Sequence, residues 1–329
     1  MKVAVVGAGA IGGLMAAWIG SRVPGTEISA LARGATLQAL RSHGLRWAEG
    51  DGLASVPLRA SDRASELGVQ DLVIVAVKGP ALAQVAPAVA SLCGPDTRVL
   101  MAMNGVPWWF FDHLPGPCQG LRLRSVDPEG RIAQAIPTRH VIGAVVHLSS
   151  SSPEPGVVKH AGGKGLIIGE PAGGDSPRLQ SLAELLGAAG FDLTVSPRIQ
   201  QPIWFKLWGN MTMNPVSALT GATCDRILDD PLVRQFCSAV MLEARAIGAA
   251  FGIPIEQDPE ERHAVTRKLG AFKTSMLMDA ENGRPLELDS IVGVVREIGQ
   301  HLGLATPNID TLLGLTRLMA HQRGLVAAG

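Results

Sequence analysis

An amine and two amides recur at four-residue spacing inside an otherwise apolar run at 204–217. Lys206, Asn210 and Asn214 stand there among Trp204, Phe205, Leu207, Trp208, Met211 and Met213. At about 100° per residue, an α-helix would carry the three only slowly around one side, as a single polar stripe. A lysine in such company must either reach water or meet a partner. An ammonium can give a proton and stabilise a developing alkoxide, and amides can hold a substrate without competing for that proton. The spacing therefore fits a catalytic amine in a cleft. It equally fits a lysine that snorkels from an ordinary helix beside two cap-like amides.

A second chemical feature opens the chain. Lys2 to Val6 is a short β-rich run, followed by Gly7-Ala8-Gly9-Ala10-Ile11-Gly12 and then a helical pattern through Trp18. In a strand-to-helix turn the first glycine permits the tight bend, the second lets backbone approach a pyrophosphate, and the third lets helix pack on strand. The helix then begins with free N–H groups facing the phosphates, which nominates Gly7, Gly9, Ala10, Ile11 and Gly12 for dinucleotide binding. The next strand, 27–31, is followed by Ala32 and Arg33, where an NAD site would usually carry an acidic residue. An arginine without a competing carboxylate suits a 2′-phosphate and favours NADPH; the alternative is a solvent-facing side chain. Lys78 and Asn104 follow two further strand candidates, at 71–77 and 97–103. Ligands of open α/β sheets bind beyond the carboxyl ends of strands, so all these features belong to one end of a sheet.

The elements that must position these groups follow from the pattern. Further strands are expected at 141–148, 156–160, 165–168 and 191–195, with helices at 80–92 and 177–189. The four serines at 149–152 read as a loop. Between them, 107–137 reads as an insertion with turns, whose Trp108-Trp109-Phe110-Phe111 cluster either caps a cleft or anchors a long loop. After Pro197 strand signals stop, and helices are expected at 203–219, 231–251, 258–282, 286–302 and 308–322. The fold class is α/β: an N-terminal Rossmann-type dinucleotide-binding domain over 1–197, then an all-helical C-terminal domain over 198–329.

Composition narrows the function. A chain of 329 residues can bury two cores, and 47% hydrophobic with 18% charged residues is globular. Lys plus Arg and Asp plus Glu both number 29, so no basic excess points to nucleic acid or an anionic membrane. Cys93, Cys118, Cys224 and Cys237 form no Cys-x-x-Cys pair, which suits a reduced cytoplasmic chain without a structural metal. The apolar run 3–20 imitates a signal peptide or a membrane span. Its glycines argue for the phosphate turn instead. The chain contains no tyrosine, which removes short-chain dehydrogenase chemistry with a Tyr acid. It also lacks the ligand clusters of zinc alcohol dehydrogenases.

Two more polar points lie in the second half. Ser275 could simply back-bond within a helix, and Glu287 could simply favour a helix start. Taken together, Gly7-x-Gly9-x-x-Gly12, Arg33, Lys78, Asn104-Gly105, Lys206-x-x-x-Asn210-x-x-x-Asn214-Pro215 and Ser275-Met276-Leu277-x-Asp279 with Glu287 resemble the ketopantoate reductase family, over nearly the whole chain. The resemblance implies NADPH-dependent reduction of a 2-oxo acid to a 2-hydroxy acid, above all 2-dehydropantoate (ketopantoate) to pantoate, a step of pantothenate biosynthesis. It implies that cofactor and substrate meet in a cleft between the two domains. Carried over by position, Lys206 resembles the general acid and Glu287 the carboxylate that orients it. Asn104, Asn210, Asn214 and Ser275 resemble the groups that hold the substrate. Lys78 and Asn104 resemble cofactor contacts near the nicotinamide.

Two positions that some members use for the pantoyl end are Cys224 and Phe272 here, and the aromatic insertion is unlike compact members. A bulkier or less hydroxylated 2-oxo acid is the alternative substrate. A His-based dehydrogenase would have to use His147 or His160, which sit in expected strands. A non-catalytic NADPH sensor on the same scaffold would have no need of Lys206 and Glu287 together. A homodimer fits the reading, with no surface patch that proves it.

Overall fold

The computed structural model describes residues 1–49 and 52–326; the last three residues of the expected second domain, 327–329, lie outside them. Among the described residues ten strands form one sheet: β1 (Lys2–Val6), β2 (Glu27–Leu31), β3 (Leu45–Glu49), β4 (Gly52–Val56), β5 (Arg59–Ser61), β6 (Gln70–Val75), β7 (Cys93–Met101), β8 (Val141–Ser151), β9 (Val157–Gly169) and β10 (Asp192–Val195). The order β5-β2-β1-β6-β7-β8 is parallel throughout. That is the doubly wound dinucleotide-binding order, with the chain reversing direction of travel beside β1. β9 then runs antiparallel to β8, and its other edge pairs in turn with β3 and β10. Val3 to Val6 and Leu72 to Val75 are buried without alternation, as strands covered on both faces must be.

The helix Ala10–Arg22 explains the membrane-like look of the N-terminus. Gly12 through Ile19 are all buried, so the helix has no polar face to show. The apolar run breaks at Gly7 into strand and helix. Among the described residues no helix is long and apolar enough to cross a membrane.

Several boundaries differ from expectation for local reasons. Ser149 to Ser151 are strand rather than loop, because β8 continues against Lys159, His160 and Gly162 of β9 with register shifts on the way. The two short strands expected at 156–160 and 165–168 are one continuous β9. The expected helix 258–282 is two, Pro259–Arg267 and Ser275–Glu281. Gly270 takes φ 64° between them, and the Thr274 side chain caps the second by accepting from Leu277 N–H. The expected helix 286–302 begins with a π-helical turn, Asp289–Gly293, before Val294–His301.

The chain divides into two compact units, residues 1–103 with 131–202 and residues 104–130 with 203–329. The aromatic segment is therefore part of the second unit. Trp108, Trp109, Phe110 and Phe111 are buried. Phe111 meets Phe251 edge-on at 5.2 Å between ring centres, and Phe251 meets Trp204 at 4.8 Å. Glu297 adds three bonds, accepting from Arg124 N–H, Ser125 N–H and Ser125 Oγ. Of the two sequence alternatives, the segment anchors, and it anchors by supplying core.

Candidate active site

In the first unit the nominated groups leave the sheet at one end. Val6 pairs with Leu31 and with Val75, so the strand ends are level. Gly7 follows at once, Arg33 two residues beyond β2 and Lys78 three beyond β6; both side chains are exposed. The three glycines have three different reasons. Gly7 takes φ 95°, and a Cβ there would lie 2.7 Å from the Ala76 carbonyl oxygen. A Cβ on Gly12 would lie 2.8 Å from Val5 Cγ2 and 2.9 Å from Ala76 Cβ, so helix and strand could not approach. Gly9 has an ordinary φ of −86°, and a Cβ there would meet nothing within 4 Å. Neither conformation nor packing demands glycine at that position. The turn leaves open space there, and the amides of Ala10, Ile11 and Gly12 open the helix beside it. The residues present fit a dinucleotide pyrophosphate.

In the second unit, Lys206, Asn210 and Asn214 lie on one helix, Gln200–Thr220. Lys206 Nζ donates to Asn104 Oδ1 at 2.9 Å, a contact between residues 102 positions apart. The Lys206 side chain keeps some accessible surface, but its ammonium is surrounded by protein. Desolvation pulls its pKa down to about 8, and the Glu287 carboxylate opposes that by raising it. Glu287 is 6% exposed. An amine poised near 8 is charged at neutral pH and gives up its proton readily, as a general acid should.

Asn104 is set by its neighbours. Gly105 takes φ 87° and lies so close to the Ser290 backbone that a Cβ would strike the carbonyl. Val106 N–H donates to that same carbonyl at 3.0 Å. The acceptor lies in the π-helical turn three residues beyond Glu287, so one irregular turn holds both the loop of Asn104 and the segment of Glu287. Asn214 is 5% exposed, and its Nδ2 has no hydrogen-bond partner in the protein. That amide nitrogen could donate to a bound acceptor. Asn210 is partly buried one turn away, and Ser275 is partly buried at the first position of its helix.

The other candidates fall elsewhere. His147 and His160 belong to β8 and β9 of the first unit. His160 stands edge-on to Trp18 at 5.0 Å and bonds the Gly163 carbonyl, which is a structural role. Cys224 and Phe272 prove to be neighbours, the Cys224 N–H donating to the Phe272 carbonyl at 3.0 Å. Burial pushes the Cys224 thiol up to about 11, while Phe272 remains 40% exposed. An open groove of about 420 Å³ lies along Arg234, Ser238, Leu242 and Glu260 and contains none of the nominated residues. Among the described residues no group of three or more His, Cys, Asp or Glu could hold a metal ion. Sequence reasoning missed Ser217, Thr274 and Ser290. A threonine directly before Ser275 is a readable cap signal, hidden by the expectation of one long helix.

A doubly wound sheet with a glycine turn, and a helical unit with a tuned amine, define a nicotinamide-dinucleotide-dependent oxidoreductase. The comparisons then specify which. The family model for ketopantoate reductase PanE/ApbA matches residues 3–173, and the model for the C-terminal part of that family matches 198–320. The chain is 42% identical to a 2-dehydropantoate 2-reductase of Mesorhizobium japonicum over 98% of its own length and 99% of the relative's. A solved structure from Ralstonia solanacearum, described provisionally as a ketopantoate reductase, is 62% identical with TM-score 0.95, covering 98% and 99% of the two chains. The 2-dehydropantoate 2-reductase of Geobacter metallireducens is 27% identical with TM-score 0.84, covering 97% and 100%. The chain belongs to the ketopantoate reductase family.

Proposed function

We propose that the chain reduces a 2-oxo acid to the 2-hydroxy acid with NADPH, and that 2-dehydropantoate is its first substrate. Bound NADPH supplies the hydride that reduces the carbonyl carbon. Lys206 Nζ gives a proton to the carbonyl oxygen, so that the product leaves as an alcohol and the lysine as a neutral amine. Asn104 holds the ammonium in place, and Glu287 keeps enough charge on it at neutral pH. Asn214, with its unmatched Nδ2, and Asn210 and Ser275 take the substrate's oxygens. Arg33 would hold the 2′-phosphate and the amides beyond Gly9 the pyrophosphate, with Lys78 serving the nicotinamide side.

The observation that carries this reading is the desolvated ammonium of Lys206, held at 2.9 Å by Asn104 and kept charged by the Glu287 carboxylate. The test is Lys206→Ala. An enzyme loses turnover by about a hundredfold or more while NADPH affinity stays within twofold. A sensor would lose neither. The paired departures at Cys224 and Phe272 favour one second reading, a more apolar 2-oxo acid on the same machinery. Competition between 2-dehydropantoate and an aryl or branched 2-oxo acid would decide between them.

A further inference from the structure

Ser217 and Thr274 are buried hydroxyls, 0% and 3% exposed, the first on the helix that carries Asn214 and the second capping the helix that begins at Ser275. Ser217 Oγ donates to the Asn214 carbonyl at 2.8 Å, and Ser217 Oγ and Thr274 Oγ1 are 2.5 Å apart. Thr274 Oγ1 also accepts from Leu277 N–H at 3.1 Å. Each hydroxyl has one hydrogen to give. Ser217 spends its hydrogen on the Asn214 carbonyl, so the short bond must be donated by Thr274. The polarity is then complete: Leu277 N–H to Thr274, Thr274 to Ser217, Ser217 to the Asn214 carbonyl. Every hydroxyl in the chain donates once and accepts once, which is the arrangement in which successive bonds strengthen one another.

We infer that this pair is a positioning clasp for the substrate subsite, a role that rests on the function proposed above for Asn214 and Ser275. The clasp joins the cap of the helix that begins at Ser275 to the backbone of Asn214 itself. Sliding either helix along the other breaks the short bond and strands a buried hydroxyl, whereas two apolar side chains of the same size would tolerate the slip. The amide most in need of an exact position, Asn214 Nδ2, is the one with no protein partner to hold it. Ser217 and Thr274 act through Asn214 and Ser275 and need touch no substrate.

Ser217→Ala is the informative variant, because it cuts the chain while leaving Thr274 to cap Leu277. It should raise KM for the 2-oxo acid about tenfold, with kcat within threefold and the NADPH Kd unchanged. Thr274→Ser, which keeps the hydroxyl, should stay within twofold of wild type. In an Asn214→Ala, Ser275→Ala background, Ser217→Ala should cost less than threefold more, because its effect runs through the two residues already removed. A KM within twofold of wild type, or a loss that multiplies in full in that background, overturns the clasp. Should wild type reduce no 2-oxo acid, the proposed function fails by itself, and amide hydrogen exchange judges the clasp. Faster exchange at Met276 to Met278 in Ser217→Ala supports it, and unchanged exchange overturns it.

Discussion

Replacing Glu287 by Gln removes one charge and almost no volume, so its effect on Lys206 can be worked through. With the carboxylate present, the ammonium titrates at about 8, already below the ordinary 10.5 because burial disfavours its charged form. The Glu287 carboxylate favours the charged form, and a neutral amide leaves desolvation unopposed. A nearby opposite charge moves a pKa by roughly one unit or more, so the variant's amine should titrate near 7 or lower. The protonated fraction at pH 7.5 then falls from roughly three-quarters to roughly one-quarter, a threefold loss from charge alone, while at pH 6 both forms are about nine-tenths protonated or more. Since the proton donor must be charged, activity is present below the pKa and lost as pH rises through it. The assay is kcat/KM for the 2-oxo acid from pH 5.5 to about 9.5, which reports the free enzyme. The alkaline limb should lie near 8 in wild type and move down by about one pH unit in Glu287→Gln. A limb that stays in place or moves up would refute both the assignment of Lys206 and the role given to Glu287.

The glycine turn makes a paired prediction. Gly9→Ala should fold with unchanged stability, because its Cβ meets no protein atom, yet lose about tenfold or more in NADPH affinity; Gly7→Ala should lose about 1–3 kcal/mol of stability in urea unfolding. Equal stability losses would remove the ligand argument at Gly9. Arg33→Ala should weaken NADPH by about tenfold to a hundredfold, the worth of a charge-assisted bond, and leave NADH nearly unaffected in fluorescence titration; parallel losses would return Arg33 to a surface role. Trp109→Ala should cost about 3–5 kcal/mol in chemical unfolding, because the ring lies fully inside the second unit. A cost below about 1 kcal/mol would make the aromatic segment a loose cap instead.

Strands 2–6 and 27–31 are legible to the residue because each is short, β-rich and stopped abruptly by a turn. β4 and the three-residue β5 escape, since they are short and mostly exposed; β3 does alternate, with Leu45 and Trp47 buried, but over five residues only. The segment 104–130 is misleading in one dimension. Its position between strands writes it into the α/β half, whereas the edge-on contact of Phe111 with Phe251 ties it to the helical half. Spacing alone put Lys206, Asn210 and Asn214 on one stripe, and resemblance alone supplied Glu287 and Ser275. Nothing in spacing could report that Lys206 reaches Asn104, because that contact depends on the Gly105 loop seating against the π-helical turn at Ser290. The Ser217 and Thr274 link was hidden for a related reason: a break at Gly270 turns one apparent helix into two, and only the break gives Thr274 a cap to make.

The most direct test of the account is the initial rate of NADPH oxidation by the purified chain with 2-dehydropantoate, run beside simpler and bulkier 2-oxo acids. Steady turnover of a 2-oxo acid is expected, with 2-dehydropantoate foremost. Tight NADPH binding with no turnover of any acid would contradict it, and would leave the ammonium of Lys206 without the role assigned to it.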